Sequence, residues 1–121
     1  MSHEKVAILG ASPNPDRYSY KALKSLENHG HEVFLVYPRY DEIDGNKVYD
    51  SLSDVNNIDT LTMYVSPQIS NNIKQDILDL SPKRVIFNPG AENAELQEEL
   101  SKSGIEVMEA CTLVLLSTDQ F

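Results

Sequence analysis

The chain has a single cysteine, Cys111, and no tryptophan. One cysteine cannot close an internal disulfide, and it fits a reducing compartment, so a cytoplasmic location is expected. Long hydrophobic runs are missing: no apolar stretch approaches the ~18 residues that suggest a bilayer span. The N-terminus, Met-Ser-His-Glu-Lys, lacks the apolar core of a signal peptide. Positive charge is scarce. Ten Lys+Arg stand against 19 Asp+Glu, for a net charge of −9. A protein that neutralises nucleic-acid phosphates needs a basic face, so neither nucleic acid nor membrane is expected as a partner. A small phosphorylated ligand stays compatible, because one helix N-terminus and one or two cationic side chains hold it locally.

Catalytic patterns are equally thin. No Cys/His/Asp cluster has metal-ligand spacing. There is no G-x-S-x-G elbow and no G-x-x-x-x-G-K-[ST] loop. Ser12 has no evident base partner. Cys111 reads as a small buried apolar residue rather than a nucleophile. His3 falls in the N-terminal tail, and His29 and His31 flank Gly30 at a helix end, where they read as surface residues. On this reading the protein is not expected to be an enzyme.

What is present is an alternation of strand and helix patterns across residues 1–121, read as one domain. Apolar runs at Val6–Leu9, Glu32–Tyr37, Thr60–Val65, Arg84–Phe87 and Ile105–Met108 read as strands. A very short edge strand fits Val48–Tyr49 inside the polar stretch 40–50. Helical spacing covers Tyr20 to His29, Ile69 to Leu80 and Glu92 to Lys102, with one helical turn at Ser51–Val55. Ala110–Leu116 is apolar and fits helix or strand equally. The pattern predicts an α/β, Rossmann-like doubly wound parallel sheet of five or six strands, with helices on both faces. Ligands of such sheets bind at the carboxyl ends of the strands, near the switch point.

The first of those ends is the most informative. Val6–Leu9 stops at Gly10, and a loop with two prolines leads into a helix. A strand opening into a helix N-terminus is an anion site in waiting. Yet the second and third glycines of the dinucleotide fingerprint are missing, since Gly10 is followed by Ala11, Ser12 and Pro13.

Four segments occur in order: Gly10-Ala-Ser-Pro-Asn-Pro15, Val36-Tyr-Pro-Arg-Tyr40, Gly45-Asn-Lys-Val-Tyr-Asp-Ser-Leu52 and Asn88-Pro-Gly-Ala-Glu-Asn93. Together they resemble the small, free-standing CoA-binding domain proteins, which are similar to the N-terminal Rossmann domain of the succinyl-CoA synthetase alpha subunit. The Val65-Ser-Pro67 turn is similar to the synthetase pattern too. The resemblance implies a CoA-type ligand held from several loops. The first loop would supply Gly10, Ala11, Ser12, Asn14 and Arg17, and the second strand's end Pro38, Arg39 and Tyr40. Val65 and Pro67 would follow from the turn, and Asn88, Pro89 and Gly90 from the last loop. Two segments depart from the family: Tyr37-Pro38 stands where Asn-Pro is common, and Cys111-Thr-Leu113 where a Cys-Pro-Lys-like run is common.

Each segment also has a plainer reading. The Gly10 loop is either a phosphate cradle or a capped strand-to-helix turn, and Pro13 and Pro15 remove two of its donors. NAD binders end the second strand in an acid that pairs with the ribose. Here Arg39 suits a ribose phosphate instead, as in CoA or NADP, or is a solvated surface charge. Tyr37 and Tyr40 fit adenine stacking or core packing. Asn93 fits a helix cap better than a ligand contact. Glu92, Glu95, Glu98 and Glu99 read as a solvated helix face.

Three functions follow. The first is non-catalytic binding of CoA or an acyl-CoA, as sensor or carrier. The second is an NADP-type nucleotide binder. The third is a ligand-free Rossmann-shaped interaction module. A homodimer or another protein partner is compatible with each.

Overall fold

The computed structural model describes residues 3–121. Seven strands form one sheet in the order β3-β4-β2-β1-β5-β6-β7. They are β1 (Lys5–Leu9), β2 (Glu32–Val36), β3 (Glu42–Ile43), β4 (Asn46–Tyr49), β5 (Thr60–Met63), β6 (Arg84–Phe87) and β7 (Glu106–Glu109). All neighbouring pairs are parallel except β3–β4. Among the described residues the α-helices are α1 (Tyr18–Asn28), α2 (Pro67–Ser70), α3 (Lys74–Leu80), α4 (Ala94–Lys102) and α5 (Thr112–Ser117).

The helices cover both faces, as the continuous apolar strands predict. Side chains alternate across β1, so Ala7 and Leu9 join one core with Met63, Phe87, Ile77 of α3 and Leu96 and Leu100 of α4. Val6 and Ile8 join the other, with Leu23 and Leu26 of α1 and Leu116 of α5. The strand order reverses between β1 and β5. Chain leaves β1 toward β2 and β4 on one side, then returns to β5 on the other. That crevice is the switch point, where ligands of open α/β sheets bind.

The sheet has one strand more than the sequence pattern predicts. The polar stretch after β2 folds into a hairpin, with β3 antiparallel to β4. Asp44 and Gly45 make its turn with φ of 50° and 80°. Asp-Gly is a strong hairpin signal, but the strands it joins are too short and polar to show alternation. The expected helix over Ile69–Leu80 is also broken, by a 3-10 turn at Asn71–Ile73. The break lies where Asn93 reaches in, donating through Nδ2 to Ser70 Oγ at 2.9 Å and Asn71 Oδ1 at 2.8 Å. The ambiguous segment after β7 is helix α5. Among the described residues no helix is long and apolar enough to cross a membrane.

Candidate functional site

A groove of about 590 Å³ opens at the switch point, within the ~300–1,000 Å³ usual for small-molecule sites. Eight residues expected from the sequence line it: Gly10, Ala11, Ser12, Arg17, Arg39, Tyr40, Val65 and Pro89. They come from the ends of β1, β2, β5 and β6, so the topology alone brings them together.

The loop after β1 spends half of its backbone donors on itself. Ser12 Oγ accepts the Asn14 N–H at 3.1 Å, and Asn14 Oδ1 accepts the Asp16 N–H at 2.9 Å. The Arg17 N–H donates to Asn14 O at 3.0 Å. Pro13 and Pro15 have no donor to give. This is a rigid turn of successive local bonds, not a loop whose amides all point at a ligand. Asn14 itself is exposed and outside the groove, because its side chain serves the turn.

The donors that remain converge. Arg17 is the N-cap of α1 but supplies no side-chain cap, and the first turn of α1 carries no acid. Tyr18 and Ser19, the first residues of α1, line the groove, and their amides have no intrahelical partner. The helix dipole favours an anion there. Ser12 accepts one bond through its oxygen and keeps its own proton for donation. Among the described residues neither Arg17 nor Arg39 takes part in an ion pair. The wall thus holds two cations against one acid, Asp16, although the whole chain carries a net charge of −9.

Gly10 has a packing reason in the structure. Its φ is +95°, and a Cβ there would lie 3.1 Å from both Tyr64 O and Val65 Cγ1. Its missing side chain lets the loops after β1 and β5 meet at the switch point, so a substitution acts first on that packing. Tyr37 and Tyr40 take the core-packing role and also border the groove. Their rings lie 6.4 Å apart at 31°, pack on the α1-side core, and line the groove.

The last loop departs from expectation. Asn88 is 2% exposed, and its amide is consumed by the fold. Its Nδ2 donates to Thr62 Oγ1 at 2.7 Å and Met63 O at 2.9 Å, while Oδ1 accepts the Thr112 N–H at 2.9 Å. Asn88 therefore rivets α5 to β5 and β6 and does not line the groove. Gly90 lies in the open, with its N–H donating to Glu92 Oε1 at 2.9 Å. Pro38 is exposed beside the groove, and Pro67 is the first residue of α2; neither lines it. Asn93 caps α4, its Oδ1 accepting the Leu96 N–H at 3.3 Å.

The groove also holds Tyr18, Ser66, Ile69 and Tyr64, which the sequence reading did not place there. Tyr18 and Ile69 are 66% and 40% exposed. Large apolar side chains at the first turn of a helix are a signal, since they have no core to fill. Tyr64 follows β5 in plain continuation of its apolar run and gave no such signal. Burial pushes the Tyr64 phenol up to about 12, only partly offset by the nearby Thr112 and Thr62 hydroxyls.

The histidines lie at the opposite end of the sheet, and His31 is not a loose surface group. His31 is half-buried and its Nδ1 accepts the Glu4 N–H at 3.0 Å. His3 packs edge-on against it, with ring centroids 6.4 Å apart. Cys111 is half-buried at the N-cap of α5. Among the described residues no group of His, Cys, Asp and Glu has the geometry of a metal site.

Known proteins share the sequence pattern and fold of this chain. The family described as "CoA binding domain" matches residues 4–117. An uncharacterized protein, YneT of Bacillus subtilis (strain 168), is 26% identical over 113 residues, covering 92% of this chain and 84% of that protein. An ADP-forming acetate–CoA ligase of Methanocaldococcus jannaschii is 36% identical over 66 residues, covering 54% of this chain but only 9% of the ligase. A crystal structure of an uncharacterized protein superposes with a TM-score of 0.95 at 44% identity, covering 100% of both chains.

Proposed function

The chain belongs to the CoA-binding domain family, and from that premise we propose that it binds CoA or an acyl-CoA without catalysing a reaction, as a sensor or carrier. One observation carries this reading: the donors left unpaired at the switch point converge on one groove. The first amides of α1 and the Ser12 hydroxyl suit the pyrophosphate. Arg39, at the end of β2, suits the 3′-phosphate on the ribose, and Tyr37 or Tyr40 offers a face for the adenine. The M. jannaschii ligase carries its CoA chemistry in a protein of which this chain matches 9%. The CoA half of that chemistry is what we carry over, and the ligation is not.

An NADP-type ligand is the second reading, favoured by the same Arg39, because a 2′-phosphate would meet it as well. Thermal melts with CoA, NADP and NAD rank the readings. CoA at about 100 times its Kd should stabilise the fold by ~2.7 kcal/mol, with NADP doing less and NAD least. Equal shifts for the three, or none, would sink the CoA reading. Native mass spectrometry of freshly purified protein then identifies any ligand carried from the cell. A stable oligomer without ligand would favour the interaction module.

A further inference from the structure

The carboxyl ends of the strands change charge along the sheet. Taken in the order β2, β1, β5, β6, β7, Arg39 follows β2 and Arg17 follows β1. Both line the groove, against the single acid Asp16. Lys21 belongs to the same side, in α1, with its Nζ 5.3 Å from the centre of the Tyr18 ring. After β5 the wall changes character. Val65, Ser66 and Ile69 line it there, and Pro89 lines it after β6. No residue from 65 to 73 or from 88 to 91 carries a charge. The charges that bound these stretches offer no cation to a ligand. Lys74 is paired with Glu99 at 3.0 Å. Glu92 is an acid, and its carboxylate accepts the Gly90 N–H. Glu109, exposed at the end of β7, is an acid too.

A ligand laid along this edge meets cations first, then a neutral wall, then acids. Four strand spacings of ~4.8 Å make the edge from β2 to β7 roughly 19 Å long. The acyl group is the end of an acyl-CoA farthest from its 3′-phosphate. With that phosphate at Arg39 and the pyrophosphate at the start of α1, the acyl group falls in the half of the edge from β5 to β7. Ile69 is 40% exposed there, so it has apolar surface to cover. A methylene chain laid against it leaves water and gains by burial. A carboxylate in the same place loses hydration without gaining a partner, and farther along it faces Glu92 or Glu109.

We propose that the groove selects acyl-CoAs by the charge of the acyl group, accepting short neutral aliphatic groups and disfavouring those that end in a carboxylate. This rests on the reading of the groove as a CoA-type site. The phosphate half of the ligand is chosen by cations, and the acyl half by their absence.

Butyryl-CoA and succinyl-CoA test it, because they differ only in a terminal methyl against a terminal carboxylate. Calorimetry on the wild type should find butyryl-CoA bound roughly five- to twentyfold tighter than succinyl-CoA. Ile69→Lys then places a cation on the neutral wall, at a position exposed enough for the ammonium to reach water. In that variant the ratio of the two affinities should fall roughly two- to fivefold, the worth of an exposed ion pair. The ratio cancels any attraction of the new charge for the phosphates, which both ligands share. Succinyl-CoA bound by the wild type as tightly as butyryl-CoA overturns the proposal while leaving the CoA reading intact. A ratio unchanged in the folded variant overturns it too, because the acyl group then lies away from α2. No binding of CoA, butyryl-CoA or succinyl-CoA by the wild type removes both readings.

Discussion

The two ends of the sheet treat their polar groups in opposite ways. At the N-terminal ends of the strands the groups are spent on one another. Glu4 accepts Thr60 Oγ1 at 2.6 Å and pairs with Arg84 at 3.4 Å. Arg84 Nε donates to Thr60 Oγ1 at 2.7 Å, and its guanidinium lies 4.4 Å from the centre of the Phe121 ring. Asp59 takes the Lys5 N–H at 2.8 Å and Lys83 at 3.0 Å, bonds that hold its carboxyl below the usual range. At the switch point the first amides of α1 and the Arg17 and Arg39 side chains are left over. Both ends carry cavities of similar size, about 430 Å³ and 590 Å³. Volume therefore does not tell a site from a seam, but the balance of unpaired donors does. A saturated network rigidifies, and unpaired donors in a cleft mark a candidate site.

The largest expected effect breaks the switch point itself. Gly10→Val puts a branched side chain at positive φ and against Tyr64 and Val65, which should cost about 3 kcal/mol of stability. Urea unfolding measures it. Wild-type stability in the variant would mean that the close approach of the two loops is not what Gly10 serves.

The next effect separates binding from folding. Arg39→Ala should weaken CoA by ~1.5–3 kcal/mol, the worth of a charge-assisted bond, and leave the melting temperature of the empty protein unchanged. Dephospho-CoA lacks the 3′-phosphate and should bind variant and wild type alike. An equal loss for both ligands would move Arg39 to the pyrophosphate. No loss for either would make it a solvated charge.

The mirror experiment is at the other end. Arg84→Met removes the partner of Glu4 and Thr60 and should destabilise by about 2 kcal/mol. CoA affinity of the folded variant should not change. If it falls as it does for Arg39→Ala, the two ends are coupled and the contrast drawn between them fails.

The smallest effect is a pH dependence. Burial holds His31 below its ordinary value, only partly countered by the Glu4 charge, with His29, His3 and Arg84 lowering it further. The folded protein thus prefers the neutral ring, whose Nδ1 accepts the Glu4 N–H. Its contribution is complete above the unfolded pKa of about 6.5 and is lost as pH falls through the lowered folded value. His31→Gln should flatten the stability change between about pH 7.5 and 5.5. An unchanged slope would assign that window to another group.

Much of the fold is legible in the residues because the strands are buried on both faces and read as apolar runs. Gly10, the prolines around it and Arg39 mark the groove end of the sheet by the same logic, since the apolar strands stop there. Asn88 shows where legibility stops. An asparagine after a strand looks the same in sequence whether its amide meets a ligand or Thr62 and Thr112. Tyr64 is the converse, a residue of an apolar run that lines the groove.

The sequence by itself determined the alternation of strands and helices, the two-sided core, the acidic surface and the order of the loops, because periodicity and punctuation are local properties of a chain. The tertiary structure alone decided which polar groups are spent and which are left over. Pairing depends on distances between residues far apart in sequence: 26 positions from Thr62 to Asn88 and 80 from Glu4 to Arg84. No local pattern carries those distances, so Asn88 became a rivet and the groove kept its unpaired donors only once β1 and β5 had met.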